Sequence, residues 1–502
     1  MKSKAIATLG LAFALSMPML AFAQETDIDQ KVSEIFGALF GPFVSFIFYS
    51  VPIAGVSFPL IVGWLIICAI VLTVKMGFIQ FTGVKHSIEL LRGVYSNPDD
   101  AGEVSHFQAL ATALSGTVGL GNIAGVAVAV SLGGPGATFW MIMAGLFGMV
   151  SKFTECTLGV KYRTEFPDGH VSGGPMYYLS KGLANQGKPV LGKVLAVLFA
   201  IMCIFGALGG GNMFQGNQAH QMFANTFGIF TETGWLFGLI LAVIVGAVII
   251  GGIKSIAKVT EKIVPLMAAI YVGTALIILF ANFSEIPTAI GVVFQGAFAP
   301  EAVGGGIVGV LIQGLKRASF SNEAGVGSAA IAHSAVRTRE PLTEGYVALL
   351  EPFIDTVVIC TMTALVIVIT GAYTNAEGLG GVALTASAFQ SVFPWFGVVL
   401  SIAVLLFAFS TMISWSYYGL KCWTYLFGEG QVTELIYKFI FCVFVVIGCS
   451  MSLGPVIDFS DAAIFAMSIA NVLGLYMLMG EVRRDLSDYQ ARLKSGEIKR
   501  YK

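Results

Sequence analysis

Charge is scarce in this chain. Lys, Arg, Asp and Glu make up 11% of its 502 residues, against about 25% in a soluble domain, which excludes a water-covered surface over most of the molecule. The charges nearly cancel, at −1 overall, and apart from a short tail they form no basic stripe. Nucleic acid is therefore excluded as a partner. No GxxxxGK[ST] loop is present and Lys316 has no such context, which argues against nucleotide-driven work. His86, His106, His170, His220 and His333 show no metal-ligand spacing, and neither a nucleophile elbow nor a metalloprotease pattern occurs. No enzyme chemistry and no cofactor is legible. Seven cysteines (Cys68, Cys156, Cys203, Cys360, Cys422, Cys442 and Cys449) lie in or beside apolar segments without paired spacing. They read as small core residues, not disulfides.

Apolar residues are what the chain has in excess. It is 56% hydrophobic with a mean hydropathy of +0.83, so lipid is the implied solvent. A crossing needs roughly 20 apolar residues for a ~30 Å hydrocarbon layer. About eleven such runs recur, at 58–79, 106–131, 136–160, 194–222, 233–252, 260–281, 303–335, 345–371, 394–425, 433–453 and 459–480. Only helices satisfy their own backbone groups within one segment in lipid. The sequence therefore predicts an all-α integral membrane protein.

Residues 1–23 read as a signal peptide: Lys2 and Lys4, an apolar stretch, then Ala21-Phe22-Ala23. Residues 24–57, interrupted by Gly37, Gly41 and Pro42, suit an elbow or interfacial helix on the outer face. The transmembrane domain is expected over 58–480 and a basic cytoplasmic tail over 481–502. One set of connections carries Lys85, Arg92, Lys161, Arg163, Lys181, Lys188, Lys193, Lys254, Lys258, Arg337 and Arg339. The alternate set, Phe223–Glu232, Asn282–Ala302 and Ala372–Phe393, carries no Lys or Arg. By the positive-inside rule the N-terminus is periplasmic and the C-terminus cytoplasmic, in a bacterial inner membrane. Residues from Thr385 to Val392 suit a short helix on the outer surface.

The second run contains Ser115-Gly116-Thr117-Val118-Gly119-Leu120-Gly121-Asn122-Ile123-Ala124-Gly125-Val126, too rich in glycine for a stable helix interior. Two hundred residues later comes Ser319-Phe320-Ser321-Asn322-Glu323-Ala324-Gly325-Val326-Gly327-Ser328. Asn-x-Ala-Gly-Val matches at 122–126 and 322–326. The offset of five spans predicts an inverted repeat of five plus five helices, with the first and sixth core helices discontinuous. Paired breaks of this kind locate a transporter's midplane site, where freed peptide groups meet an anion or a cation.

Other polar groups sit at membrane depth, where an unpaired charge is expensive. Lys316, Arg317, Glu323, Glu351 and Asp355 are candidates for gating or for structural ion pairs. Glu351 and Asp355, spaced i, i+4, are expected to share a face that meets Lys316 or Arg317. Phe214, Gln215, Asn217 and Gln218 cluster in the fourth run; an aromatic beside an amide suits closure over a substrate, and equally interhelical hydrogen bonding. Ser410, Thr411, Ser414 and Trp415 offer hydroxyls for a hard cation and an indole wall.

The glycine-rich run, Ser172-Gly173-Gly174-Pro175-Met176-Tyr177-Tyr178, the run from Phe320 to Ser328, and Glu351-Pro352-Phe353-Ile354-Asp355-Thr356 strongly resemble the alanine or glycine:cation symporters. The resemblance spans roughly residues 60–480. It implies a leucine-transporter architecture and inward carriage of a small neutral amino acid with sodium. By that resemblance Thr117, Gly119, Gly121, Asn122, Ile123, Ser319, Ser321 and Asn322 hold the amino acid, with Phe214, Gln218 and Trp415 completing the pocket. Sodium falls between Gly119, Asn122, Ser410 and Thr411. Proton coupling rivals sodium because Glu323 and Asp355 are titratable. A channel is a further alternative, as is a sensor that binds without transport.

Overall fold

The computed structural model describes residues 25–53, 55–97, 99–167, 169–298, 306–375 and 380–502. The expected signal peptide lies outside them. Helix α1 (Glu25–Ile47) leads into a hairpin of β1 (Ser50–Ile53) and β2 (Val56–Pro59), antiparallel with Ser50 opposite Pro59. Helix α2 is Leu60–Lys75. Helix α3 (His106–Thr117) opens on a capping box in which the Ser105 hydroxyl accepts from Gln108 N and the Gln108 side chain accepts from Ser105 N. It stops at the glycine run. A π turn (Gly121–Gly125) and α4 (Val126–Gly133) continue it at an angle of 49°.

Next come α5 (Ala137–Lys161), α6 (Pro189–Phe227, with a π turn at Gly209–Met213), α7 (Gly234–Ile249) and α8 (Gly252–Ala281). Helix α9 (Ile286–Phe298) fills a stretch expected to be loop. Helix α10 (Gly306–Asn322) breaks, and α11 (Ala329–His333) resumes after it. The remainder comprises α12 (Pro341–Ile369, with a π segment at Phe353–Cys360), α13 (Val382–Val392), α14 (Phe396–Phe427), α15 (Gln431–Ser450) and α16 (Leu453–Ser495).

Seven of these helices, α5, α6, α8, α12, α14, α15 and α16, are long and apolar enough to cross a membrane, and the bent α3–α4 pair makes an eighth. Every predicted run falls on helix, but α2 and α7 hold only 16 residues each. At 1.5 Å per residue that is about 24 Å, short of ~30 Å. The run at 303–335 is split between α10 and α11. By length and composition, seven or eight crossings are supported among the described residues.

The segment expected as a basic tail is largely helical. Helix α16 runs unbroken for 43 residues, roughly 65 Å, so it extends past Gly480 as packed structure. Val482, Leu486 and Tyr489 are fully buried there. Lys161 pairs with Glu481 and Asp485, and Arg492 holds Glu340 through two hydrogen bonds of 2.7 and 3.0 Å. Arg163 donates to the carbonyls of Ala101, Ser334, Val336 and Thr338. The Lys/Arg-bearing connections thus converge on one end of the bundle. Leu486→Ala is expected to lower stability by about 2–5 kcal/mol, read as a fall in the thermal midpoint in detergent; an unchanged midpoint would contradict this packing.

Candidate functional site

The two interrupted segments meet. A Cβ built on Gly121 would stand 3.3 Å from Ser321 Cα, so the backbones approach closely only because residue 121 lacks a side chain. The second break is made by departures from helix at three alternate residues: Glu323, Gly325 and Gly327 have φ of 55°, 85° and 95°. Glycine adopts this region freely. Glu323 does not, and holding it there costs about 1–2 kcal/mol, a strain the surrounding hydrogen bonds must support.

Asn122 is the hinge of the first break. Its Oδ1 accepts from Gly119 N at 2.9 Å, replacing a lost helical bond. Its Nδ2 donates to Asp355 O and Oδ1, at 3.0 and 2.6 Å. Asp355 Oδ2 in turn accepts from Ser321 at 2.9 Å and from Thr356 at 2.7 Å. Asn322 repeats the pattern: Oδ1 accepts from Ala324 N, and Nδ2 donates to Thr356. In each copy the amide satisfies a peptide N–H freed by the break while tying the break to α12.

A small cavity lies between the breaks, lined by Gly116, Thr117, Gly121, Gly210, Gln215, Phe320, Glu323, Trp415 and Ile464, with room for about one water-sized sphere. Trp415 Nε1 bridges its walls, donating to Gly116 O at 3.2 Å and to Glu323 Oε1 at 3.1 Å. Glu323 Oε2 accepts from Ser328. Gln215 Oε1 accepts from Leu120 N at 3.1 Å. Phe320 meets Phe214 edge-on, with ring centroids 5.3 Å apart.

Residues 47–502 match the sodium:alanine symporter family. The chain belongs to that family. The symporter is 43% identical to the sodium/alanine symporter AgcS of Methanococcus maripaludis, over 82% of this chain and 90% of that one. It is 36% identical to GlnT of Bacillus subtilis, described as a probable sodium/glutamine symporter, over 85% and 86%. Among solved structures, MhsT in complex with L-phenylalanine superposes with a TM-score of 0.53 at 16% identity, covering 74% of this chain and 88% of that one. That likeness bears on the fold alone. The symporter is accordingly a multi-pass membrane protein of a transporter family.

Thr117, Gly121 and Trp415 of this symporter line the cavity, and Gly119, Asn122, Ser321 and Asn322 lie around it. Ser319 accepts the Glu323 N–H through its backbone. Ile123 instead uses its carbonyl to accept from Thr385 of α13 at 3.0 Å. Gln218 is a turn too far along α6: its Oε1 accepts from Val382 N at 3.1 Å, beside α13. Gln215 holds the place expected of Gln218. Of Ser410, Thr411 and Ser414 in α14, Thr411 lies against Gly119, its Oγ1 2.5 Å from where a Cβ of that glycine would stand, while the Tyr418 hydroxyl of the same helix is 2.9 Å from the corresponding point on Gly116. Among the described residues Thr411 Oγ1 has no hydrogen-bond partner. Ser410 bonds Phe407 O and Met267 Sδ, and Ser414 bonds Ser115.

The expected ion pairing is corrected. Lys316 (3.0 Å) and Arg317 both reach Asp461 of α16. Glu351 goes to Lys152 and His333, and Asp355 to Asn122. The π segment at Phe353–Cys360 begins between the two acids and changes the helical phase. Lys152 and Glu155, both fully buried in α5, were missed. Their signal was present, since charges inside an apolar run rarely lack a role. Cys156, His333 and Glu351 bring ligand-type atoms within 4.8 Å of one another. Both His333 nitrogens already bond carboxylates, so this is a hydrogen-bond network.

Proposed function

We propose that the protein is a secondary active symporter that carries alanine or glycine inward with sodium by alternating access. The observation that carries this reading is the meeting of two interrupted helices around one cavity walled by Phe320, Trp415 and Ile464. The N–H groups of Gly119 and Leu120 are held by Asn122 and Gln215, which leaves the backbone around Gly121 in the cavity wall to meet a carboxylate; Glu323 suits an ammonium, and the bulky walls leave space for little beyond a methyl group. The name of the 43%-identical relative favours alanine. Thr411 Oγ1, buried and without a partner among the described residues, suits a sodium ion beside Gly119.

In this reading α2, α7 and the α10–α11 pair also cross, giving eleven spans whose last ten form two inverted halves. The N-terminus is periplasmic after removal of the leader, and the C-terminus is cytoplasmic. On the outer side Arg317 lies over the Phe320 ring, 5.4 Å from its centroid, and reaches Asp461. An outer closure is thereby stacked directly on the cavity.

Uptake of labelled alanine into proteoliposomes under an inward sodium gradient tests the reading. Uptake that ignores the sodium gradient sinks it. Thr411→Val preserves shape and removes one cation ligand, worth about 1–3 kcal/mol, so the half-saturating sodium concentration is expected to rise roughly tenfold with no loss of thermal stability. An unchanged sodium dependence would move the ion elsewhere.

A further inference from the structure

Two cations share one carboxylate oxygen at the outer closure. Lys316 Nζ is 3.0 Å from Asp461 Oδ2, and Arg317 donates to the same atom. Asp461 Oδ1 has no hydrogen-bond partner among the described residues. One negative charge thus holds two positive ones, which repel each other. Each cation also lies over an aromatic ring. Arg317 is over Phe320, a wall of the cavity, whereas Lys316 Nζ stands 4.2 Å from the centroid of Phe48, within reach of the ring's attraction for an ammonium.

Phe48 lies between α1 and the hairpin, and its N–H donates to Val44 O at 3.0 Å as a last turn of α1. Aromatic rings fix this segment on α16. Phe36 and Phe40 meet Phe459 with centroids 5.0 and 4.5 Å apart, and Phe48 meets Phe465 at 5.6 Å. Phe40 and Phe43 also reach Phe205 of α6, at 6.4 and 6.3 Å. The spacing of Phe36, Phe40 and Phe43 is i, i+4, i+7, so they form one stripe of α1. Asp461 falls between Phe459 and Phe465 along α16, and the contacts from α1 and Phe48 therefore bracket the shared carboxylate. Helix α1 precedes the family match and has only Ile47 in common with it.

We propose that α1 and Phe48 form a third jaw of the outer closure, in which the Phe48 ring holds the Lys316 ammonium on Asp461 and so sets how long the amino acid stays enclosed. Helix α10 supplies the cations, α16 the anion, and the segment after α1 the ring that lies against both. Opening the outer side parts α10 from α16, and Lys316 then leaves Asp461 and the face of Phe48 together. Phe48 acts through Lys316 and is a positioning residue. The proposal rests on the symport reading.

The test binds labelled alanine to the purified full chain in sodium-containing detergent, adds excess unlabelled alanine and follows release of the label. Phe48→Leu keeps apolar bulk and loses the ring face; it is expected to speed release roughly two- to fivefold with little change in the melting curve. Phe48→Tyr keeps the face and should release within about twofold of the parent. In a Lys316→Gln background Phe48→Leu should add nothing, because a neutral amide gives the ring no charge to hold. A structural role for Phe48 would instead leave the effect of Phe48→Leu at full size in that background, which overturns the proposal. Unchanged release from Phe48→Leu, or release from Phe48→Tyr as fast as from Phe48→Leu, overturns it as well. A parent chain that binds no labelled alanine counts instead against the symport reading.

Discussion

Asn122→Ala is expected to reduce alanine uptake to background while the chain remains folded. The side chain makes one bond to the break and two to Asp355. Losing them leaves the Gly119 N–H and part of the Asp355 carboxylate unsatisfied, at about 1–3 kcal/mol each. That is tolerable against a typical 5–15 kcal/mol. The functional loss is larger because the Asn122 amide sets where the freed peptide groups point. Without it the break is free to rewind toward helix or to collapse on Ser321. Uptake in proteoliposomes and a melting curve in detergent measure the two effects separately. Parent-like uptake from a folded variant would refute the site. Asn122→Asp sharpens the result, since it keeps the acceptor for Gly119 N and sets a second carboxylate where the Asp355 oxygen now receives a donor. It too is expected to be inactive at neutral pH.

The breaks were legible because glycine density and a repeated Asn are local signals: a helix interior that spends glycines must gain something for them. Residue contacts across elements were not. Phe214 and Gln218 share a face of α6 by spacing, yet Gln218 meets the N-terminus of α13. Nothing in the periodicity of α6 tells that α13 is packed there. Residue 215, one turn lower, faces the freed N–H of Leu120. The i, i+4 pairing of Glu351 with Asp355 failed for a related reason, because a π segment is invisible to a 3.6-residue count.

The ends of helices misled in another way. Falling hydropathy after Gly480 marks where the apolar run ends, and it carries no information on whether the helix ends with it. The chain goes on as helix because Val482, Leu486 and Tyr489 follow an i, i+4, i+7 spacing that buries one stripe, with Tyr489 against His86 in the connection before α3 and against Tyr346 in the first turns of α12. A membrane protein has two solvents, and the pattern that matters changes at the boundary.

Gly211→Ala is expected to abolish uptake from a position that contributes no polar side chain. Gly211 belongs to the π turn of α6, and a Cβ built there overlaps Trp415 Cβ, Cγ and Cδ2. The clash is with the root of the indole, so rotating a side-chain tip does not relieve it. Trp415 has to move bodily. Its N–H is then carried away from both Gly116 O and Glu323 Oε1, one acceptor on each interrupted helix, and the ring enters a cavity with space for about one water. Overpacking of this kind costs about 1–3 kcal/mol, so the variant should fold with a lower melting point and an altered tryptophan emission. Trp415→Phe separates the two consequences, keeping an aromatic wall and removing the bridge. Partial uptake by Trp415→Phe beside none by Gly211→Ala assigns the larger share to cavity volume, and equal loss assigns it to the hydrogen bonds. Parent-like uptake by Gly211→Ala would show that the indole need not hold this position, and the cavity would no longer be the place where the two helices grip the cargo.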